Sequence, residues 1–130
     1  MKDITIGTKA AAALTVGENE LAVNVGSGSL EVFATPMMAM LMEKASCNCL
    51  AEFLEGDETT VGTELNIRHV SATPLSMEVT AAAEVTAVNG REITLSVTAF
   101  DRCGEIGSGI HKRFVVCGEK FMKKTKEKLN

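Results

Sequence analysis

The chain has no tryptophan and no tyrosine, and five phenylalanines are its whole aromatic complement. Its core must therefore be built from Ala, Val, Leu, Ile and Met, and platforms on which bases could stack are scarce. Positive charge is also short. Thirteen Lys and Arg against 17 Asp and Glu leave a net charge of −4, so the field of the whole molecule opposes polyanions, although a local basic patch can still hold one phosphate. Nucleic acid is not an expected partner. There is no long hydrophobic run: the N-terminal MKDITIGTKAAAALTV is broken by Thr, Gly and Lys, which suits neither a signal peptide nor a membrane span. A cytoplasmic protein without a membrane partner is expected. Cys47, Cys49, Cys103 and Cys117 form no C-x-x-C pair and have no His at ligand spacing. No metal site is expected, and the cysteines read as free buried thiols of a reducing compartment.

What is present suits one folded domain over residues 1–130, with 45% hydrophobic and 23% charged residues. Lys9 to Val16 reads as a first strand, Leu21 to Val25 as a short strand or extended loop, and GSGS at 26–29 as a break. Thr35-Pro36 is a helix start, with Thr as N-cap and Pro at the first helical position. The helix is predicted to run to about Leu54. On its wheel Lys44, Asn48 and Glu52 form a wet stripe, while Glu43 lies apart beside Ala39, Met40, Ser46 and Cys47 on an apolar face.

From Thr59 the period becomes two. Val61, Leu65, Ile67 and His69 share one side and Glu64, Asn66 and Arg68 the other, which puts His69 on the buried side. Alternation resumes from Met77 to Ala87, turns at Asn89-Gly90, and continues through Ile93, Leu95, Val97 and Ala99. After a turn at Asp101 to Gly104 a last strand covers about Glu105 to Val116, where Gly107 and Gly109 permit close backbone approach. The tail EKFMKKTKEKLN spaces Phe121, Thr125 and Leu129 as a short helix with a lysine-rich solvated face.

A sheet with one apolar face must be covered, and only the long helix is large enough to do it. The expected fold class is α+β, a curved antiparallel sheet wrapped around one long helix, known as the hotdog arrangement. One helix cannot cover such a sheet and its edge strands need partners, so a homodimer or higher oligomer with the sheet continued across it is expected.

Three polar residues sit where apolar ones belong: Thr35, Glu43 and His69. A carboxylate and an imidazole converging on one partly dry interior suit general acid–base chemistry. Each also has a plain explanation. Capping accounts for Thr35, Glu43 can snorkel or pair with Lys44 or Arg68, and His69 can be a satisfied core histidine. His111 and Arg113 share a side of the last strand, opposite Lys112, where they can hold a phosphate or pantetheine arm or simply face solvent. Gly62, within TVGTE, can offer its N–H to a ligand carbonyl or mark a bulge.

The stretches VFATPMMAMLMEKA, VGTELNIRHVSATP and DRCGEIGSGIHKRFVV together resemble the fluoroacetyl-CoA thioesterase-type family of hotdog proteins, with the spacing between them kept from about Val32 to the lysine-rich tail. The resemblance implies a small homodimer that hydrolyses acyl-CoA thioesters in a pocket at the subunit interface, with CoA arriving as part of the substrate and no further cofactor. It places the family's catalytic Thr, Glu and His on Thr35, Glu43 and His69, its glycine near the thioester carbonyl on Gly62, and its strand arginine on Arg113. One departure stands out. The branch specialised for fluoroacetyl groups carries an aromatic lid residue just before V-F-A-T, whereas GSGSLE has none and Ser29 takes that position. On a regular helix Thr35 and Glu43 stand roughly 12 Å apart along the axis, so the two meet only through an irregular helix start or a site shared by two subunits. A hotdog module that binds acyl-CoA or a related ligand without turnover is the alternative function. A hydratase would need a close Asp–His pair, which the sequence does not offer.

Overall fold

A computed structural model describes residues 1–130. Its five strands, β1 (Lys9–Thr15), β2 (Glu58–His69), β3 (Glu78–Asn89), β4 (Glu92–Asp101) and β5 (Gly104–Cys117), form one curved antiparallel sheet in the order β1-β3-β4-β5-β2. The β3–β4–β5 meander follows from short turns, the first at Asn89-Gly90, where Gly90 takes the positive φ of +62° that a tight hairpin demands. Strand β2 pairs with β5 alone, so it forms one edge of the sheet and β1 the other.

Helix α2 (Thr35–Leu50) lies across one face. Met38, Leu41, Met42, Ala45, Ser46, Cys49 and Leu50 are buried along it at three- and four-residue spacing, a single stripe. Beneath it the sheet presents Val79, Ala81, Ala83 and Val85 of β3 and Ile93, Leu95, Val97 and Ala99 of β4, all buried. Alternating alanines leave room for the long helix side chains, so methionine and leucine do the filling that rings do elsewhere. Gly107 serves the same close approach: a Cβ there would lie 2.7 Å from Met38 Sδ. The expected hotdog arrangement is the one observed.

The differences from expectation are local. Leu21 is extended, bridged to Phe33, but residues 22–25 are not. Helix α1 (Ala22–Val25) forms there, because the segment folds back on itself through Ala22 N–H to the Val32 carbonyl and Val23 N–H to the Leu30 carbonyl, and Gly26 closes it in the left-handed region. Helix α2 stops at Leu50 and a 3-10 turn, Ala51–Phe53, carries the chain to Leu54. In β2 a bulge between Gly62 and Glu64 reverses the alternation. Val61 consequently pairs with exposed Phe114 on the outer face, while Thr60 and Gly62 face α2 along with Leu65, Ile67 and His69. A second bulge, between Val85 and Ala87, makes Val88 rather than Ala87 the residue that packs on the core. All four cysteines are free, but only Cys49 is buried, with its thiol donating to the Ala83 carbonyl. Helix α3 (Gly118–Lys126) forms where the tail's spacing predicted it, its first turn held by Asp57, whose carboxylate accepts from Glu119 N–H. No helix is long and apolar enough to cross a membrane.

Candidate active site

Thr35 is the first residue of α2, and Ala34, not Thr35, holds the capping position, with no side-chain cap. The Thr35 hydroxyl is therefore not spent on the helix end. Its Oγ1 lies 2.7 Å from His69 Nδ1. Both partners are held from outside the pair. Phe33 N–H donates to the Thr73 carbonyl and Ala34 N–H to the Glu20 carbonyl, fixing the approach to α2, while Val70 N–H donates to the Ile106 carbonyl just beyond the end of β2. The Phe33 ring stands edge-on to the imidazole, with centroids 6.4 Å apart. Burial pushes the His69 pKa down, with the neighbouring Ser71 backbone pulling the other way. The imidazole is then neutral at pH 7 and can accept the Thr35 proton. Its Nε2 is buried without a hydrogen-bond partner. Beside the pair lies a cavity of about 270 Å³ bordered by Ser27, Val32, Phe33, Val70 and Ser71.

Glu43 stands two turns further along α2, and its side chain is 44% exposed. Its partner is Arg113: Oε2 lies 3.7 Å from Nη1. The guanidinium is buried and held on three sides, through Nε to Thr60 Oγ1 at 2.8 Å, Nη2 to the Thr60 carbonyl at 2.9 Å, and Nη1 to His111 Nε2 at 3.1 Å. His111 is itself buried, with Nδ1 2.8 Å from the Glu64 carbonyl. A carbonyl only accepts, so Nδ1 carries the proton and Nε2 is left as the acceptor for Arg113. Burial and the nearby Arg113 charge lower the His111 pKa, against the opposing pull of the Glu64 carbonyl and Glu43. Gly62 completes the group. A Cβ on it would sit 3.1 Å from Glu43 Oε2 and 3.3 Å from both Arg113 Nη1 and His111 Cε1.

The six residues singled out in the sequence thus fall into two sets, Thr35 with His69, and Glu43 with Gly62, His111 and Arg113. His111 and Arg113 on β5 lie inside the fold against Glu43, not on the surface where a nucleotide's phosphates would lie. Two further residues, Phe33 and Thr60, hold these sets in place. Phe33 left a signal, since it directly precedes the helix start. Thr60 left none, because the bulge that turns it inward is silent in the alternation.

The model of the FlK family, described as fluoroacetyl-CoA-specific thioesterase, matches residues 16–119. The fluoroacetyl-CoA thioesterase of Streptantibioticus cattleyicolor is 44% identical over 98 residues, covering 75% of this chain and 70% of the relative. This chain belongs to the FlK family. A crystal structure of the fluoroacetyl-CoA thioesterase FlK superposes with a TM-score of 0.91 at 34% identity, covering 98% of each chain. A FlK variant in complex with acetyl-CoA does so at 0.91 and 34%, over 97% of this chain and 99% of that one. A Thermus thermophilus protein of the thioesterase superfamily matches at 0.90 with 25% identity, over 99% and 98%. The fold is therefore shared from end to end.

Proposed function

We propose that the protein hydrolyses a small acyl-CoA thioester to the free acid and CoA. The observation that carries this reading is the Thr35 Oγ1–His69 Nδ1 contact of 2.7 Å at the rim of a cavity, in a member of the FlK family. His69 takes the proton of Thr35 or of a water held there, and Glu43 acts as base or transient nucleophile. In this reading the Gly62 N–H acts as an oxyanion donor and Arg113 as the cation beside it. Fluoroacetyl specificity is not carried over. Where a lid aromatic would stand, the exposed Ser29 is followed by Leu30, which is 67% exposed.

The site is completed by a second copy. Along α2 the face carrying Met40, Glu43 and Cys47 is open in the single chain, and β2 has a free edge. If two copies of β2 pair antiparallel about a two-fold axis near Leu65–Asn66, the Gly62 end of one subunit meets the His69 end of the other. That arrangement brings a carboxylate toward the unpartnered His69 Nε2. A homodimer in the cytoplasm is the form we assign.

The test is the loss of thioester ultraviolet absorbance over a panel of short acyl-CoAs, a signal the three exposed cysteines do not disturb. Turnover of at least one short substrate is expected, together with loss of turnover in Glu43→Gln and His69→Ala at an unchanged dimer mass. Tight binding of the panel without turnover would instead make the protein an acyl-CoA binding module.

A further inference from the structure

We propose that His111 is a positioning residue for Glu43, acting as a neutral, one-tautomer brace that aims the Arg113 guanidinium at the carboxylate. This rests on the assignment of Glu43 to the reaction. A buried arginine is costly unless its donors are met, and here each acceptor sets a direction. Thr60 takes Nε and Nη2 through its hydroxyl and carbonyl, which fixes the plane of the fork. His111 Nε2 takes one N–H of Nη1, which leaves the other N–H of that nitrogen free on the side where Glu43 Oε2 stands 3.7 Å away. The brace works only in one protonation state. Nδ1 must donate to the Glu64 carbonyl, so a proton added at Nε2 replaces an acceptor by a donor facing a guanidinium.

The surroundings of His111 keep it in that state. The charged groups facing it are Arg113 on its own strand and Glu43 on α2. Strand β2 offers the Glu64 carbonyl, Gly62 and the register partner Leu65, and β4 offers Leu95. The absence of a Cβ at Gly62 is what lets Glu43, Arg113 and His111 close on one point. Protonation of His111 would turn the guanidinium away and release Glu43, so acid would switch off the site through a residue with no direct role in the chemistry.

His111→Leu removes the acceptor, and His111→Gln restores an acceptor near the Nε2 position without a titrating group. For His111→Leu we expect kcat to fall about tenfold or more with KM within about threefold, and for His111→Gln most of kcat to return. The acid limb of the pH profile should move to lower pH in the glutamine variant. In a Glu43→Gln background His111→Leu should cost nothing further, because a brace has no effect once the group it positions is gone. Wild-type kcat in His111→Leu alongside an inactive Glu43→Gln would overturn the brace and leave the role of Glu43 standing. Wild-type kcat in both would overturn the two together. Should His111→Leu fail to fold, Thr60→Val carries the same expectation through the Nε bond, and imidazole ¹⁵N shifts of the wild type must show Nδ1 protonated and Nε2 bare; any other tautomer refutes the proposal.

Discussion

The two ends of the candidate site are built on opposite plans. At the Thr35 end one hydrogen bond joins two side chains, and His69 Nε2 is left buried and unpartnered. At the Glu43 end three bonds hold a buried guanidinium in place, a histidine is locked in one tautomer, and a glycine makes room for the group. An unmet buried nitrogen costs roughly 1–3 kcal/mol, and such a cost persists where a ligand or a second chain supplies the missing partner. The difference separates two tasks. In the proposed reaction the sparse end moves a proton, and the dense end holds the Glu43 carboxylate in place.

The contrast breaks most severely at the sparse end. His69→Ala is expected to lower kcat by about 10²–10⁴-fold, the range of a lost general base, and Thr35→Val to approach it, measured by thioester absorbance with the fold checked by circular dichroism. At the dense end Glu43→Gln should cost about a hundredfold in kcat with little change in KM, since it alters charge and leaves shape. Smaller again is Gly62→Ala. The added Cβ meets Glu43 Oε2 at 3.1 Å and the buried Arg113 Nη1 and His111 Cε1 at 3.3 Å; Glu43, 44% exposed, can swing aside but the other two cannot, so a loss of about tenfold in kcat with some loss of stability is expected.

The smallest effect is a pH dependence. Burial holds the His69 pKa below the ordinary imidazole value of 6.5. Below that value the unfolded chain binds more protons than the folded one, so the contribution of His69 to stability is complete above about pH 6.5 and declines as pH falls toward the folded-state pKa. The acid limb of kcat/KM should likewise lie below pH 6.5 and move up toward it in Phe33→Leu, which opens one wall of the imidazole site. An acid limb unchanged in that variant would mean that the ring contributes nothing to the burial of His69.

Much of this was legible because it depends on spacing alone. The three-and-four stripe from Met38 to Leu50 and the alternation of β3 and β4 dictate one covered sheet, and Glu43 and His69 stood out as polar residues on apolar faces. The bulges were not legible. Thr63 adds one residue to β2 against β5, and an extra residue changes which side chains face inward without altering composition. For that reason the alternation groups Val61 with His69 and hides the inward turn of Thr60. The exposure of three of the four cysteines is not legible either, since a thiol is equally at home on a core stripe and on an open helix face such as that of Cys47.

By itself the sequence determined the fold class, the long helix over the sheet, and which polar residues stand on apolar faces, because local periodicity and polarity are properties of consecutive residues. Only the tertiary structure decided that the Thr35 hydroxyl serves His69 instead of a helix cap, and that His111 and Arg113 turn inward to Glu43. Those outcomes depend on the register between β2 and β5, whose partners lie about fifty residues apart in the chain, and register is set by how whole strands pack, not by any one stretch of them.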